Sequence, residues 1–386
     1  PYRRQRQMCI RDRNTCRFLW KQVKFPLATD ASNAAVQVLK EGEVQGSDVA
    51  AHSAGVLDIR TNILADTDAL YLTAIDKYGH ELWRWTFPVD KLNQQTEQLS
   101  PLSSRPTYTE TENDLTVKAN KRTFIFSKKD GQLKGVSVDN RKINFANGPR
   151  FIGARRADRS LDQFYNHDDE KAKEKDRTYS EFPDAAVFTK LDVKEDGGNL
   201  VVTANYKLGN LDKAQWTINP SGDLALDYTY NFSGVVDLMG IRFDYPEDQV
   251  ISKRWLGAGP YRVWQNRIHG TQYDVWENDY NDPIPGETFT YPEFKGYFGD
   301  VSWMNIQTKE GTISLTNETP DTYIGVYQPR DGRDRLLYTL PESGISVLNV
   351  IPPVRNKVNS TDLCGPSSQP KWVNGPQTGR VIFRFM

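Results

Sequence analysis

Few residues in this chain have the type and spacing to do chemistry. The four histidines, His52, His80, His167 and His269, lie far apart. No H-x-x-x-H or H-E-x-x-H spacing sets two of them on one helical face, as a zinc site would need. Three cysteines, Cys9, Cys16 and Cys364, form no C-x-x-C pair, and their odd count does not suggest a disulfide framework. Asp162, Asp168 and Asp169 lack the alternate spacing of a calcium loop. The run 168–177 reads as a solvated loop or one exposed helical turn. His269 and Glu277 are near enough in sequence to act as an acid and base pair on an aldose, but Glu277 falls in Val275-Trp276-Glu277, a strand or turn element. Glu293 stands alone as a carboxylate in Pro292-Glu293-Phe294. Aromatics are the richer signal, at 11% of the chain with 9 Trp, 18 Tyr and 17 Phe. Such rings fill strand faces and also stack on sugars.

The elements that must position these residues read as β. Phe18–Phe25 is rich in aromatic and branched residues and stops at Pro26. Val56–Ile59 and Leu70–Ile75 follow as further strands. In Glu81–Phe87, the residues Leu82, Arg84 and Thr86 alternate with Trp83, Trp85 and Phe87, the period of two that a half-buried strand requires. Residues 98–108 are polar and Pro-containing, and read as a linker. Beyond them, Arg122–Phe126, Asn199–Ala204, Leu224–Tyr230 and Arg380–Phe385 are clear strands. The turns at Asp130-Gly131, Asp196-Gly197-Gly198 and Ser221-Gly222 carry glycines that permit positive φ. No alternation of strand and helix appears, which excludes a TIM barrel or Rossmann sheet. The expected class is all-β: a partial β-sandwich over 14–97, then one large antiparallel sandwich over 109–386. Lys and Arg number 49 against 50 Asp and Glu, so no basic face for nucleic acid is implied. No stretch reaches about 18 consecutive apolar residues, so no membrane span is expected.

Residues 1–13 stand apart. They contain no apolar h-region and are not a signal peptide. Their alternative reading as a basic arm competes with a third. Met8-Cys9-Ile10-Arg11-Asp12 resembles the translation of a mosaic-end adapter used in transposon-based sequencing libraries. The expectation is an adapter artefact joined to a truncated reading frame, with the natural N-terminus missing.

The most specific segment is Trp255-Leu256-Gly257-Ala258-Gly259-Pro260-Tyr261-Arg262-Val263-Trp264-Gln265-Asn266-Arg267. It resembles the W-x-G-x-G-P-x-E-x-Y-x-D-R block of the C-terminal domain in lac-type β-galactosidases of glycoside hydrolase family 2. Gly240–Phe243, Tyr291–Tyr297 and Val301-Ser302-Trp303 resemble the pieces that flank that block. Phe124–Leu133 and Asn147–Phe151 resemble the opening of the same domain. The resemblance runs from about residue 110 to 386 and is closest to members from Bacteroidetes. Residues 14–90 look like the immunoglobulin-like domain that precedes it, entered at about its third strand. Within the block, Gly257 and Gly259 are expected to take backbone conformations closed to other residues beside Pro260. Trp255 and Trp264 are expected to anchor the corner by burial, and Arg267 to meet a buried carboxylate or carbonyls.

That resemblance implies a galactose-mutarotase-like supersandwich and a retaining glycosidase. The chemistry needs two carboxylates about 5–5.5 Å apart, which the family places in a central TIM barrel. Neither glutamate can be carried onto a residue of this chain, so no catalytic residue is assigned here. The Mg and Na used by full-length members belong to the barrel, and no cofactor or metal is expected in this chain. In the family, a late loop presents a Trp that stacks on the sugar. Here Gln369 stands at that place in Leu363–Pro370, and Trp372 lies three residues on. Trp372 either substitutes as a stacking platform or packs against the last strand. The loop after an R-A-P-x-D-N-D motif is matched poorly by Ala154–Asp162, which lacks the proline and the D-N-D triplet. The expected reading is the non-catalytic C-terminal part of a β-galactosidase that buttresses the barrel and lines one wall of the sugar pocket. The barrel portion or large subunit is its partner, and a galactoside its substrate. The alternatives are a natural small subunit of a split enzyme and a stand-alone sugar-binding or mutarotase-like module. A homo-oligomeric full-length protein in the periplasm or outside a bacterial cell completes the expectation.

Overall fold

The computed structural model describes residues 16–46, 49–50, 53–89, 104–156, 179–279, 296–326, 341, 343–353 and 365–386. The expectations for residues 1–13, the charged run 168–177, Glu293 and Cys364 fall outside them. The chain divides into two compact units, Pro1–Glu97 with Gln272–Val275, and Gln98–Thr271 with Trp276–Met386.

The first unit is built on four strands, β1 (Arg17–Lys24), β2 (Gln37–Gln45), β3 (Ala69–Ile75) and β4 (Glu81–Pro88). They form one antiparallel sheet in the order β2-β1-β3-β4. Register fixes the faces, because residues directly opposite in a ladder point the same way. Val44, Phe18, Ala74 and Trp83 make one row across the sheet, and Gly42, Trp20, Leu72 and Trp85 the next. The Trp20 indole lies flat across Gly42, where any Cβ would collide with the ring. Gln22 ends this face under the 61–67 loop. Its Nε2 donates to Thr61 Oγ1 (3.1 Å) and the Asn62 carbonyl (2.8 Å), while Leu64 N and Thr67 Oγ1 donate to its Oε1 (both 2.9 Å). Its amide is therefore satisfied although fully buried.

The strand expected at Val56–Ile59 is absent, and β2 lies where none was expected. Val56 is exposed and lies outside the strands of the described residues. In β2 the sequence QVLKEGEVQ shows no apolar alternation, because it is an edge strand with exposed residues on both faces. Backbone pairing with β1 recruits it where side-chain burial does not.

The second unit begins with β5 (Thr107–Glu110), whose first two residues end the stretch read as linker, then β6 (Asp114–Ala119), β7 (Arg122–Ser127), β8 (Leu133–Val138), β9 (Arg141–Ile143) and β10 (Ala146–Arg156). It continues through β11 (Tyr179–Glu181), β12 (Val187–Asp196), β13 (Asn199–Lys207), β14 (Leu211–Ile218), β15 (Leu224–Val236), β16 (Leu238–Asp244) and β17 (Val250–Gly259). The remainder are β18 (Gln272–Asp279), β19 (Phe298–Gly299), β20 (Trp303–Thr308), β21 (Gly311–Asn317), β22 (Tyr323–Gly325), β23 (Ile345–Val350) and β24 (Lys371–Phe385). Two short 3-10 turns, Glu247–Gln249 and Pro366–Ser368, interrupt them. The glycines of the turns predicted at 131, 197, 198 and 222 all take positive φ.

These strands form two antiparallel sheets. One runs β19-β22-β23-β16-β10-β8-β7-β6-β5, with β11 on β10 and β9 on β8; the other runs β12-β13-β14-β15-β24-β21-β20-β17-β18. The fold is all-β, as expected. No helix among the described residues is long and apolar enough to cross a membrane.

Alternation along each strand sends one face inward, and the inward faces of both sheets share one core. Phe145 sits at its centre, 4.7 Å from Phe243, 5.0 Å from Phe383 and 5.3 Å from Phe385, measured between ring centroids. Phe126 meets Trp216 at 5.9 Å and Phe151 meets Tyr230 at 5.5 Å across the same layer. Charged residues alternate with this core on the outward face. Arg384 forks onto both Asp223 oxygens at 2.8 and 3.1 Å.

Phe145→Ala should remove the ring that joins both sheets. The expected loss is about 3–5 kcal/mol of stability, read as a lower urea midpoint at unchanged slope.

Candidate functional site

The Trp255–Arg267 segment folds as a buried corner. Trp255 is fully buried, its Nε1 donates to the Ala258 carbonyl at 3.0 Å, and its ring meets Phe298 edge-on at 4.8 Å. Neither Gly257 nor Gly259 has positive φ, contrary to expectation. Close approach selects them instead. Gly257 faces the backbone of Gly299, Asp300 and Val301, and the Trp276 ring rests on Gly259. The Gly259-Pro260 peptide is cis.

Past that corner, Val263 and Tyr297 exchange backbone hydrogen bonds of 2.7 and 2.8 Å. Trp264 packs T-shaped on Tyr297 at 5.6 Å. Both join a second, smaller core with Ile152, Ala154, Leu238, Leu348 and Ile351. Tyr323 packs against it, and burial pushes its phenol above the usual tyrosine range, with Asp300 and Asp321 adding to the shift. The phenol therefore stays protonated at neutral pH. Arg267 closes the turn through its backbone, donating to the Trp264 carbonyl at 2.8 Å. Its side chain is exposed, so the buried partner expected for it is not found.

Gln265 and Asn266, between these anchors, hold the late loop. Gln265 Nε2 donates to the Gln369 carbonyl at 2.7 Å, and Asn266 Nδ2 donates to Ser368 Oγ at 3.1 Å. The Gln265 backbone N–H donates to the Pro352 carbonyl at 3.1 Å. The structure thus brings Gln369 and the Trp264 corner together, and Gln369 takes part through its main chain. Trp372 is the second residue of β24 and is paired with Val235. Its indole is 72% exposed, on the outer side of the strand that was the alternative packing partner. Two polar atoms beside the clamp, Trp264 Nε1 and Gln265 Oε1, are buried without a hydrogen-bond partner among the described residues. Such atoms cost about 1–3 kcal/mol each when left unpaired, which marks the corner as a place that a further polar group would complete. The clamp pair was missed as functional, although Gln265-Asn266 lies inside the quoted block as its only two adjacent carboxamides.

The other candidates do not assemble. His269 and Glu277 are both exposed and are not hydrogen-bonded to each other. Among the described residues no three His, Cys, Asp or Glu side chains gather as a metal site would need. A hollow of about 350 Å³ lies on the outward face at β15 and β24, lined by Lys213, Asp227, Thr229, Glu318, Thr378 and Arg380. There Arg380 reaches Asp227 at 2.5 Å and Glu318 at 2.9 Å, so both carboxylates share one guanidinium and neither is poised to attack a substrate.

The geometry defines a large antiparallel β-sandwich whose rim carries a clamped loop with an open indole beside it. The family model for the β-galactosidase small chain matches residues 118–350, and the chain belongs to that family. No curated protein sequence matches it. Among solved structures it is similar to galactose 1-epimerase from Lactobacillus acidophilus NCFM, 9% identical over 74% of this chain and 99% of that one, at a TM-score of 0.42. It is also similar to an aldose epimerase homologue from C. elegans, 7% identical over 72% and 99%, at 0.32. A copper-containing benzylamine oxidase from Hansenula polymorpha is 8% identical over 98% and 79%, at 0.30. All three likenesses are remote.

Gln265→Met should break the clamp while filling the same volume. Amide exchange over 365–372 should rise by roughly tenfold, as loss of about 1–1.5 kcal/mol in a single hydrogen bond implies. Exchange in β15 should not change.

Proposed function

We propose that this chain is the non-catalytic part of a family 2 β-galactosidase, and that it works beside a glycosidase barrel carried elsewhere. The clamped late loop forms one wall of the sugar pocket. The 365–370 loop supplies shape, and Trp372 supplies a flat apolar surface for the C–H face of a galactoside. The observation that carries this reading is the exposed Trp372 indole beside a loop pinned by Gln265 and Asn266, in a chain of the β-galactosidase small-chain family.

The division of labour follows from the chemistry. Retaining hydrolysis needs one carboxylate to attack the anomeric carbon and a second to protonate the leaving oxygen. The hollow at Arg380 ties both of its carboxylates to one cation. The Trp264 corner offers an indole N–H and an amide oxygen, which orient a ligand or a neighbouring surface but transfer no proton. What this chain gives to catalysis is position and exclusion of water.

Two expectations follow. The purified chain alone should hydrolyse nitrophenyl β-galactoside no faster than buffer, and a rate should appear on mixing with the barrel-bearing chain of a two-chain β-galactosidase. In that mixture Trp372→Ala should raise KM about tenfold, the equivalent of roughly 1.4 kcal/mol of lost stacking. Clear hydrolysis by the chain alone would place the chemistry inside this sandwich and end the proposal.

A further inference from the structure

The outward face of the β15 and β24 ladder is polar over most of its length and ends on a bare aromatic ring. The ladder runs without a shift of register, so alternate residues of each strand share this face. At one end stands Trp372, opposite Val235. Asn374 and Ser233 follow, and the Ser233 hydroxyl donates to Asn374 Oδ1 at 2.8 Å. Pro376 and Asn231 come next, then Thr378 and Thr229. Arg380 and Asp227 close the lane at the hollow of about 350 Å³. That volume falls within the range of small-ligand sites, about 300–1,000 Å³. From Trp372 to Arg380 the lane runs about 27 Å, at roughly 3.4 Å per residue. A single galactoside covers only one end of it.

We propose that this lane binds a neutral, galactose-terminated oligosaccharide, its terminal galactose on Trp372 and its following sugars along β15 and β24 to the hollow. This rests on the reading that Trp372 stacks on a galactoside. The chemistry of the lane selects the ligand. Charge cancels in the hollow, where Lys213 and Arg380 stand against Asp227 and Glu318, and Arg380 reaches the two carboxylates at 2.5 and 2.9 Å. Such a balance leaves no field to hold a polyanion. Between the hollow and Trp372 the polar groups are hydroxyls and carboxamides, which both donate and accept hydrogen bonds, as sugar hydroxyls do. Lys213, Thr229 and Thr378 form one row across β14, β15 and β24. Their side chains have no hydrogen-bond partner among the described residues, so these groups are left for a ligand. A protein partner would call for aromatic anchors at the centre of its contact, whereas the large ring of this lane stands at its end.

The test is calorimetric titration of the full chain with β-1,4-galactohexaose and with lactose. The hexasaccharide should bind at least about tenfold more tightly, through hydrogen bonds that two sugars cannot reach. The Thr229→Val, Thr378→Val double variant keeps β-branched side chains of the same shape and should keep the far-UV spectrum of the parent. It should lose about tenfold in affinity for the hexasaccharide and nothing for lactose. Trp372→Ala should lose about tenfold for both. Tyr78→Ser removes an equally exposed ring from the turn between β3 and β4 and should bind as the parent does. A hexasaccharide held no more tightly than lactose, or held equally by the double variant, would overturn the lane. The proposed function would survive that result if the mixture with a barrel-bearing chain still hydrolysed nitrophenyl β-galactoside. A Trp372→Ala variant that bound both sugars as the parent does would remove the stacking on which both readings rest. Binding of dextran sulfate in preference to the hexasaccharide, fading as salt is added, would give the lane to a polyanion and overturn the inference.

Discussion

The ladder between β15 and β24 is the constraint on which the rest of the large unit depends. It runs unbroken from Leu224 opposite Phe383 to Val236 opposite Lys371. β24 also pairs with β21 on its other side, so it joins the two halves of its sheet. Its inward residues Val381, Phe383 and Phe385 are fully buried, and the two phenylalanines join Phe145, which lies between β9 and β10. Fully burying one such side chain is worth about 1.5–3 kcal/mol. The same strand begins at Lys371 and Trp372, directly after the clamped loop. Core and rim are therefore one continuous backbone, and the position of the Trp372 indole is inherited from the register of the ladder.

Charge plays a different part from burial. On the outward face, Arg384 pairs with Asp223 on β24 and the β15 approach, and Arg380 pairs with Asp227 two rows on. Pairs as exposed as Arg380 and Asp227 contribute little net stability in water. Their value lies in register, since a slip of one residue would turn Phe383 and Phe385 outward and Arg380 and Arg384 inward. Arg242 and Arg150 face each other across β10 and β16. Burial, then the charge of Arg150, draws the Arg242 guanidinium below its usual range, and Arg150 itself is held by Asp244. Like charges set opposite one another in a ladder persist only where nearby carboxylates offset them.

Much of this was legible in the residues. Aromatic and branched runs located β1, β3, β7, β13 and β15, and period-two alternation located β4, half-buried on one face and exposed on the other. It failed at β2, whose two faces are both wet, so that nothing in its side chains distinguishes strand from loop. The reading also expected a strand at Val56–Ile59, where apolar residues cluster in a segment that takes no strand conformation. In the site, the family block was read correctly as a corner, and Trp255 and Trp264 as its buried anchors. The reason for its glycines was not legible. Close approach by Trp276 and by the Asp300 backbone is a tertiary fact, and the sequence offers only the glycine itself. The exposure of Trp372 was hidden for a like reason. Alternation says that two faces differ, while which of them meets water depends on the layers that happen to be present.

The position of β24 in the chain has a consequence for the order of assembly. Its partners β15 and β21 lie well before it in sequence, and the pairing of Leu224 with Phe383 closes a very long loop. Loop closure of this kind slows folding, because chain entropy is lost before contacts compensate it. During synthesis, β12 through β21 leave the ribosome while the centre of their sheet is still unmade. Until the fifteen residues of β24 emerge, β15 and β21 each present an unpaired edge beside exposed aromatic side chains. Such edges are templates for wrong pairing. The nascent chain is thus most vulnerable before β24 emerges, in the interval when a chaperone that masks strand edges would matter most.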